Sequence, residues 1–468
     1  MIALALLALG LYATGTLYPP SDASHAVFRV AVCLVAAGGI AIPRGRLVRA
    51  GLALWAAGIA TSVLVAPDPW RAVWSTANRN EGAWQAAHYL LLVLVAAAAP
   101  RERLVRWLAV AAGVAAVWGL VPGVGWVGGR MVGSAGNPLY VAPLLLLGVW
   151  AAFRAGESAG PKAETWWILA SGLTLALVAT RSTGAALAVA AAGGVWLLAR
   201  APRWVVVATA VAVAVGLWFA PLPPSALIRI ELGRVALHGI VARPLGWGAE
   251  GFPFVFDRWW SGFAPTGEAW HDRAHCLVLD RAIEWGVIGL AGWLMVVMAA
   301  WRRAALPERM AIAAYLGFGL TMFEMMWGAG AFAAVLGYTF QTWRPEGEWR
   351  VTRHRPHALA CLATALALVV GAAQLAQSHA AATATDKPAM QRAIERWSPI
   401  GGDLVETYLK AAQTPDSLAW AAGHVETSSP HATQQAMLLA LWDRRYCADL
   451  LLAAPRRPDV RELCGGAR

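Results

Sequence analysis

Long apolar runs recur along the chain, separated by short polar breaks rich in Arg, Gly and Pro. A hydrocarbon core about 30 Å thick takes roughly 20 helical residues to cross, and many of the runs reach that scale. They predict thirteen helices, at about 2–18, 25–42, 48–66, 82–99, 104–121, 139–154, 164–180, 183–199, 204–221, 276–300, 308–323, 329–343 and 356–376. The longest polar interruption falls between the ninth and tenth helices and is expected to be a large loop over 222–275. From Arg229 to His275 it gathers Arg229, Arg234, Arg243, Arg258 and Arg273 with His238, His271 and His275. Past Gln377 charged residues return. Helical periodicity is then short, in Met390–Trp397, Leu404–Ala412 and Ala432–Leu452, with breaks at Pro399, Pro415 and Pro430. This predicts a small helical appendage over 377–468, similar to tetratricopeptide helix pairs but without a clear period of about 34 residues.

Composition strengthens the membrane reading. The chain has 468 residues, 59% of them hydrophobic and 14% charged, and a mean hydropathy of +0.53, which excludes an ordinary soluble protein. The formal net charge of +11 raises a nucleic-acid reading. Its placement argues against one. Three of the basic residues are Lys and the rest are Arg, and seventeen of them fall in the segments 43–49, 100–106, 154–163, 200–203, 302–309 and 344–355. The alternate short loops hold few. The positive-inside rule therefore places the N-terminus and the basic loops in the cytoplasm, and the odd helix count places the tail outside. Trp107, Trp204, Trp301 and Trp343, near predicted helix ends, fit an interfacial aromatic belt. The first apolar run lacks a basic leader and reads as a retained helix. The chain thus divides into a membrane unit, 1–376, and an extracytoplasmic tail, 377–468. In the tail, Cys447 and Cys464 either pair in an oxidising exterior or remain as two thiols.

Topology does not account for the arginines on the outward side. These are Arg79 in NRNEG, Arg130 in GRMVGSAGNP, Arg181 in ATRSTG and the five in the large loop. A guanidinium is a planar, permanent cation matched to phosphate oxygens, so several converging on one outward pocket would hold a lipid phosphate or pyrophosphate. The other reading is contact with lipid headgroups or with carboxylates such as Glu231 and Asp257. His275, just before a helix that starts at the outer interface, is the first candidate for proton transfer, with His238 and His271 as local competitors. His88 is an intramembrane polar group, either functional or hydrogen-bonded to a neighbouring helix. The predicted helix interiors otherwise look nearly free of charge. No outward DxD pair, CxxC or Cys/His cluster points to a metal.

Five segments, in order, resemble the O-antigen ligase and polymerase superfamily of bacterial membrane glycosyltransferases. They are WSTANRNEG at 74–82, GSAGNPLYVAPLLL at 133–146, Thr180-Arg181, Arg229 and Leu232 heading RVALHGIVARPLGWGAEGF, and DRAHCLVLDRAIEWGVIGL at 272–290. The resemblance implies an all-α polytopic membrane protein with a GT-C-like helical bundle. It implies a metal-independent enzyme, without cofactors, that moves a glycan from undecaprenyl pyrophosphate to a glycan, lipid or protein acceptor outside the cytoplasmic membrane. By this resemblance Arg181 and Arg229 would hold the pyrophosphate and His275 would activate the acceptor; Arg79, Arg130, Arg234 and Arg273, among the outward arginines, are the further candidate binding residues. Two positions depart from the family pattern: Cys276 stands where Asn is usual, and Gly233 where an aromatic is common.

Overall fold

The computed structural model describes residues 2–10, 22–75, 80–121, 125–209, 211, 224–260, 271–323, 325–341, 357–384 and 392. They form a helical bundle. Its helices are α1 (Ile2–Leu7), α2 (Asp22–Ala37), α3 (Arg46–Val65), α4 (Pro69–Trp74), α5 (Ala83–Ala98), α6 (Arg101–Val117), α7 (Pro138–Glu157), α8 (Ala163–Ala179) and α9 (Thr183–Arg200). There follow α10 (Pro224–Ala242), α11 (Phe252–Trp259), α12 (Leu277–Arg303), α13 (Leu306–Gly319), α14 (Met326–Gln341) and α15 (His357–Ala382). A two-stranded ribbon pairs Trp126–Val127 with Arg130–Met131. Among the described residues six helices are long and apolar enough to cross a membrane, against the thirteen spans expected. Several of the others are shorter, and α1 passes into a 3-10 turn at Ala8–Gly10, where Gly10 comes close to the Ala111 carbonyl of α6. The predicted tail lies outside the described residues, apart from the end of α15 and Arg392.

The expected loop over 222–275 requires correction, because α10 and α11 lie within it. Ile228, Leu232, Val235 and Ala236 recur at helical spacing and are buried, while Glu231, Arg234 and His238 face outward. Polar residues masked this second, shorter period. Leu227, Ile230, Leu237 and Val241 form a further exposed apolar stripe, the kind of surface suited to lying in a membrane interface.

Helices α3 and α12 run antiparallel along a seam of small residues. A Cβ on Gly58 would stand 2.2 Å from the Gly289 Cα, and one on Gly292 would stand 2.2 Å from the Trp55 nitrogen. Such close backbone approach is how apolar helices associate where lipid removes the hydrophobic drive between them. Trp55 and Trp285 pack beside the seam, ring centroids 5.5 Å apart. Near its start α12 breaks at Gly286, φ 67°, where the 244–248 turn presses in and the Val287 N–H donates to the Pro244 carbonyl at 2.8 Å. A Cβ there would meet the Leu245 carbonyl carbon at 2.4 Å.

Hydrogen bonds and ion pairs sort the connections between helices into two ends. At one end Arg303 donates to the Arg44 carbonyl at 2.8 Å, Arg101 to the Tyr338 hydroxyl at 3.1 Å, and Arg154 pairs with Glu308 at 3.0 Å. These contacts join four of the six basic segments. At the other end Ser75 bonds Glu250 at 2.9 Å, the Trp247 N–H bonds the Ile283 carbonyl at 2.7 Å, and Arg130 bonds the Thr180 carbonyl at 3.0 Å. For these four segments the division by charge made from the sequence is also a division in space. Gly58→Val is expected to force α3 and α12 apart at a cost of about 1–3 kcal/mol, with a smaller loss for Gly58→Ala. The check is the midpoint of detergent unfolding for each variant against the wild type.

Candidate functional site

The end opposite the basic loops is held by a buried charge cluster. Arg273, 2% exposed, lies in the turn before α12. Its guanidinium bonds Glu250 at 2.6 Å and also pairs with Glu284. Arg281 reaches the other Glu284 oxygen at 2.6 Å and lies over the Trp285 ring at 3.9 Å. Asp280 accepts the Ala274 N–H at 2.8 Å. Burial opposes the Arg273 charge, but Glu250, Glu284, Asp280 and Asp272 more than reverse that, so its guanidinium is held well above its ordinary pKa. In consequence the 271–276 turn is pinned on both sides of His275.

Backbone strain marks the same end. Among the described residues the non-glycine positions with positive φ are Ser75 (73°), Asn80 (59°), Arg181 (49°), Glu250 (58°) and His275 (54°). Each costs of order 1–3 kcal/mol and persists only where its surroundings determine it. Ser75 and Glu250 bond each other, and His275 follows the ion-paired turn. The His275 ring is half-buried, with centroids 5.2 Å from Phe323 and 5.9 Å from His271. His271 is buried against Phe256. His238 lies on the exposed face of α10, its Nδ1 2.9 Å from the Arg234 carbonyl. His88 is buried within α5, 2.7 Å from the Trp84 carbonyl and 3.3 Å from the Cys33 sulfur, which fits the structural reading.

The arginines separate into groups. Arg130 donates to the carbonyl of Thr180, which brings the ribbon against the turn carrying Arg181. The exposed Arg181 guanidinium lies over that ribbon's turn, its Nη1 3.9 Å from where a Cβ on Gly129 would stand. Arg229 is partly buried on α10, and burial lowers its pKa. Arg234, on the same helix, is exposed and sits 3.6 Å from Glu231. No hydrogen bond or ion pair among the described residues joins Arg181 to Arg229. Arg79 lies outside the described residues. At Cys276, where the family resemblance calls for Asn, burial raises the thiol pKa and keeps it protonated. Among the described residues no group of three or more His, Cys, Asp or Glu could hold a metal ion.

A second buried network was missed by sequence reasoning. Glu81 accepts from Tyr89 at 2.6 Å and faces His25 at 3.3 Å. Arg29, inside α2, donates to Gln85 and to the Asn80 carbonyl, both at 2.7 Å, while Gln374 of α15 bonds Asn80. The expectation that helix interiors are nearly free of charge is therefore corrected by Arg29, Asp280, Arg281 and Glu284. A charge within an apolar run was the available signal. Their pairing, which makes burial tolerable, was not visible. Burial pushes the Glu81 pKa up, but the His25 and Tyr89 hydrogen bonds and the charges of His25 and Arg281 hold it below the ordinary carboxylate value.

No protein-family model matches the chain, and no curated protein sequence matches it.

Two measurements test this geometry. Glu250→Gln leaves Arg273 short of a partner and is expected to cost about 3–5 kcal/mol in unfolding free energy, whereas Glu231→Gln, on the exposed face, costs less than about 1 kcal/mol. Because the folded pKa of Glu81 is depressed, its contribution is present above the unfolded value of about 4.3 and is lost as pH falls through the folded one. Unfolding midpoints measured against pH should fall on that acid side in the wild type and fall less steeply in Glu81→Gln.

Proposed function

We propose that the protein is a membrane glycosyltransferase of the O-antigen ligase and polymerase type, transferring a glycan from undecaprenyl pyrophosphate to an acceptor on the outer side of the bacterial cytoplasmic membrane. The observation that supports this reading best is His275. It is a half-buried imidazole on a left-handed backbone position in an ion-paired turn, at the bundle end that also carries Arg130 and Arg181. In this reading the membrane unit has a GT-C-like arrangement of thirteen spans, with the N-terminus cytoplasmic and the site and tail extracytoplasmic.

An acceptor hydroxyl attacks the anomeric carbon and gives its proton to an unprotonated His275 imidazole. The new carbon–oxygen bond forms as the bond to the pyrophosphate oxygen breaks, and the lipid pyrophosphate leaves with the electron pair. Arg181 and Arg229 stabilise the charge gained by the leaving group. Arg79, Arg130 and Arg234 extend the anion site. Arg273, already committed to two carboxylates, positions His275 and leaves phosphate contact to the others. One displacement inverts the anomeric configuration. The acceptor is a growing glycan, a lipid or a protein hydroxyl, the last making the protein an O-oligosaccharyltransferase. A second reading, a transporter or flippase for the lipid-linked sugar, draws on the charges buried between helices at Arg29, Asp280, Arg281 and Glu284.

Reconstitution with an undecaprenyl-pyrophosphate glycan and candidate acceptors, followed by mass analysis of what carries the sugar, separates the readings. His275→Ala should lower transfer by about 10²–10⁴-fold while lipid-pyrophosphate binding persists. Arg181→Ala and Arg229→Ala should each cost about 2–4 kcal/mol of transition-state stabilisation. Wild-type transfer by His275→Ala would remove the base. Translocation without transfer, unaffected in that variant, would establish the transporter.

A further inference from the structure

At the end of the bundle far from His275, α6 opens with Arg101, Arg103 and Arg106 within its first two turns, and Glu102 is the acid of its first turn. The positive end of a helix macrodipole is an unfavourable place for cations. Arg101 is accounted for, since it bonds the Tyr338 hydroxyl and lies 4.7 Å over that ring. Arg106 is only partly so: its Nη2 comes within 3.3 Å of Glu102, while its Nε is shielded from water without a hydrogen-bond partner. Arg103 is exposed and makes no ion pair or hydrogen bond among the described residues. Both residues line a cavity of about 580 Å³, together with Ile2, Ala3, Trp107, Val110 and Trp166.

The position of this cavity identifies the chemistry. The segment Arg101–Leu120 is one of the candidate spans, so its first turns fall where a bilayer places its headgroups. Tryptophan favours that level. Beside the cavity, α8 turns Trp167, Ile168 and Leu175 outward, 50%, 72% and 72% exposed, an apolar surface along which acyl chains can lie. A free guanidinium, a half-satisfied one, two indoles and an apolar flank match one ligand in charge and in polarity gradient. We propose that this cavity binds the phosphate headgroup of an anionic phospholipid, with Arg103 and Arg106 on the phosphate oxygens and the indoles against the glycerol. This site is independent of the proposed transfer reaction.

Native mass spectrometry of the full chain in detergent, with phosphatidylglycerol or phosphatidylcholine added, tests it. The wild type should retain phosphatidylglycerol in preference. The Arg103→Ala/Arg106→Ala double variant should retain about thirtyfold less. Both side chains are solvent-facing or partly so, and an unchanged unfolding midpoint will show the variant folded. Arg200→Ala/Arg203→Ala removes the same charge from another basic loop and should leave retention as in the wild type. Equal retention of the two lipids by the wild type, undiminished retention in the first double variant, or an equal fall in the second would each overturn the assignment. Binding of glycerol 3-phosphate as tightly as phosphatidylglycerol would also overturn it, making the cavity a site for soluble phosphate.

Discussion

A guanidinium taken out of water must be met by hydrogen-bond acceptors, and at Arg273, where these are carboxylates, that requirement organises one whole end of the molecule. The desolvation penalty for a buried ion is several kcal/mol even after relaxation. It is offset here only because Glu250 and Glu284 are both present. Meeting it brings together four stretches of chain: the end of α4 through Ser75, the turn before α11 through Glu250, the 271–276 turn, and the first turns of α12. Displacing any one of them would leave a buried charge with fewer partners. His275 takes its position from this constraint.

The same constraint explains why strain concentrates at that end. Positive-φ backbone at Ser75, Glu250 and His275 is unfavourable in isolation and is held by the Ser75–Glu250 hydrogen bond and by the ion pairs of Arg273 with Glu250 and Glu284. Arg181 and Asn80, in the same conformation, belong to separate turns, one beside the Arg130 ribbon and the other within the Arg29 and Gln374 network. These five positions, in four of the connections, lie together at one end of an otherwise apolar bundle. The basic end is built differently. Its arginines are spread over separate contacts, Arg154 with Glu157 and Glu308, Arg303 with the Arg44 carbonyl and Arg101 with Tyr338, and two of them border an open cavity.

Between the ends, helix association depends on small residues and on polar contacts that lipid cannot replace. The Gly51, Gly58, Gly289 and Gly292 seam lets two backbones touch. Arg29 and Gln374 fasten α2 and α15 to the turn before α5. These buried polar groups are paired with one another.

Taken alone, the sequence determined what depends on runs and spacing. The apolar runs located α3, α5, α7, α8, α9 and α12 to within a few residues, because a long apolar run bounded by polar breaks marks both ends of a buried or spanning helix. The distribution of arginine separated the two ends, because charge is costly anywhere else along such helices. His275 and the Arg130–Arg181 region were singled out as polar groups that topology did not explain. Other features needed the tertiary structure. That Arg273 is an anchor within a carboxylate cluster, that α10 and α11 lie within the expected loop, and that Arg29 is satisfied by Gln85 and Asn80 all follow from contacts between residues far apart in the chain. Burial of a charge is a property of its partners, and a one-dimensional pattern does not contain them.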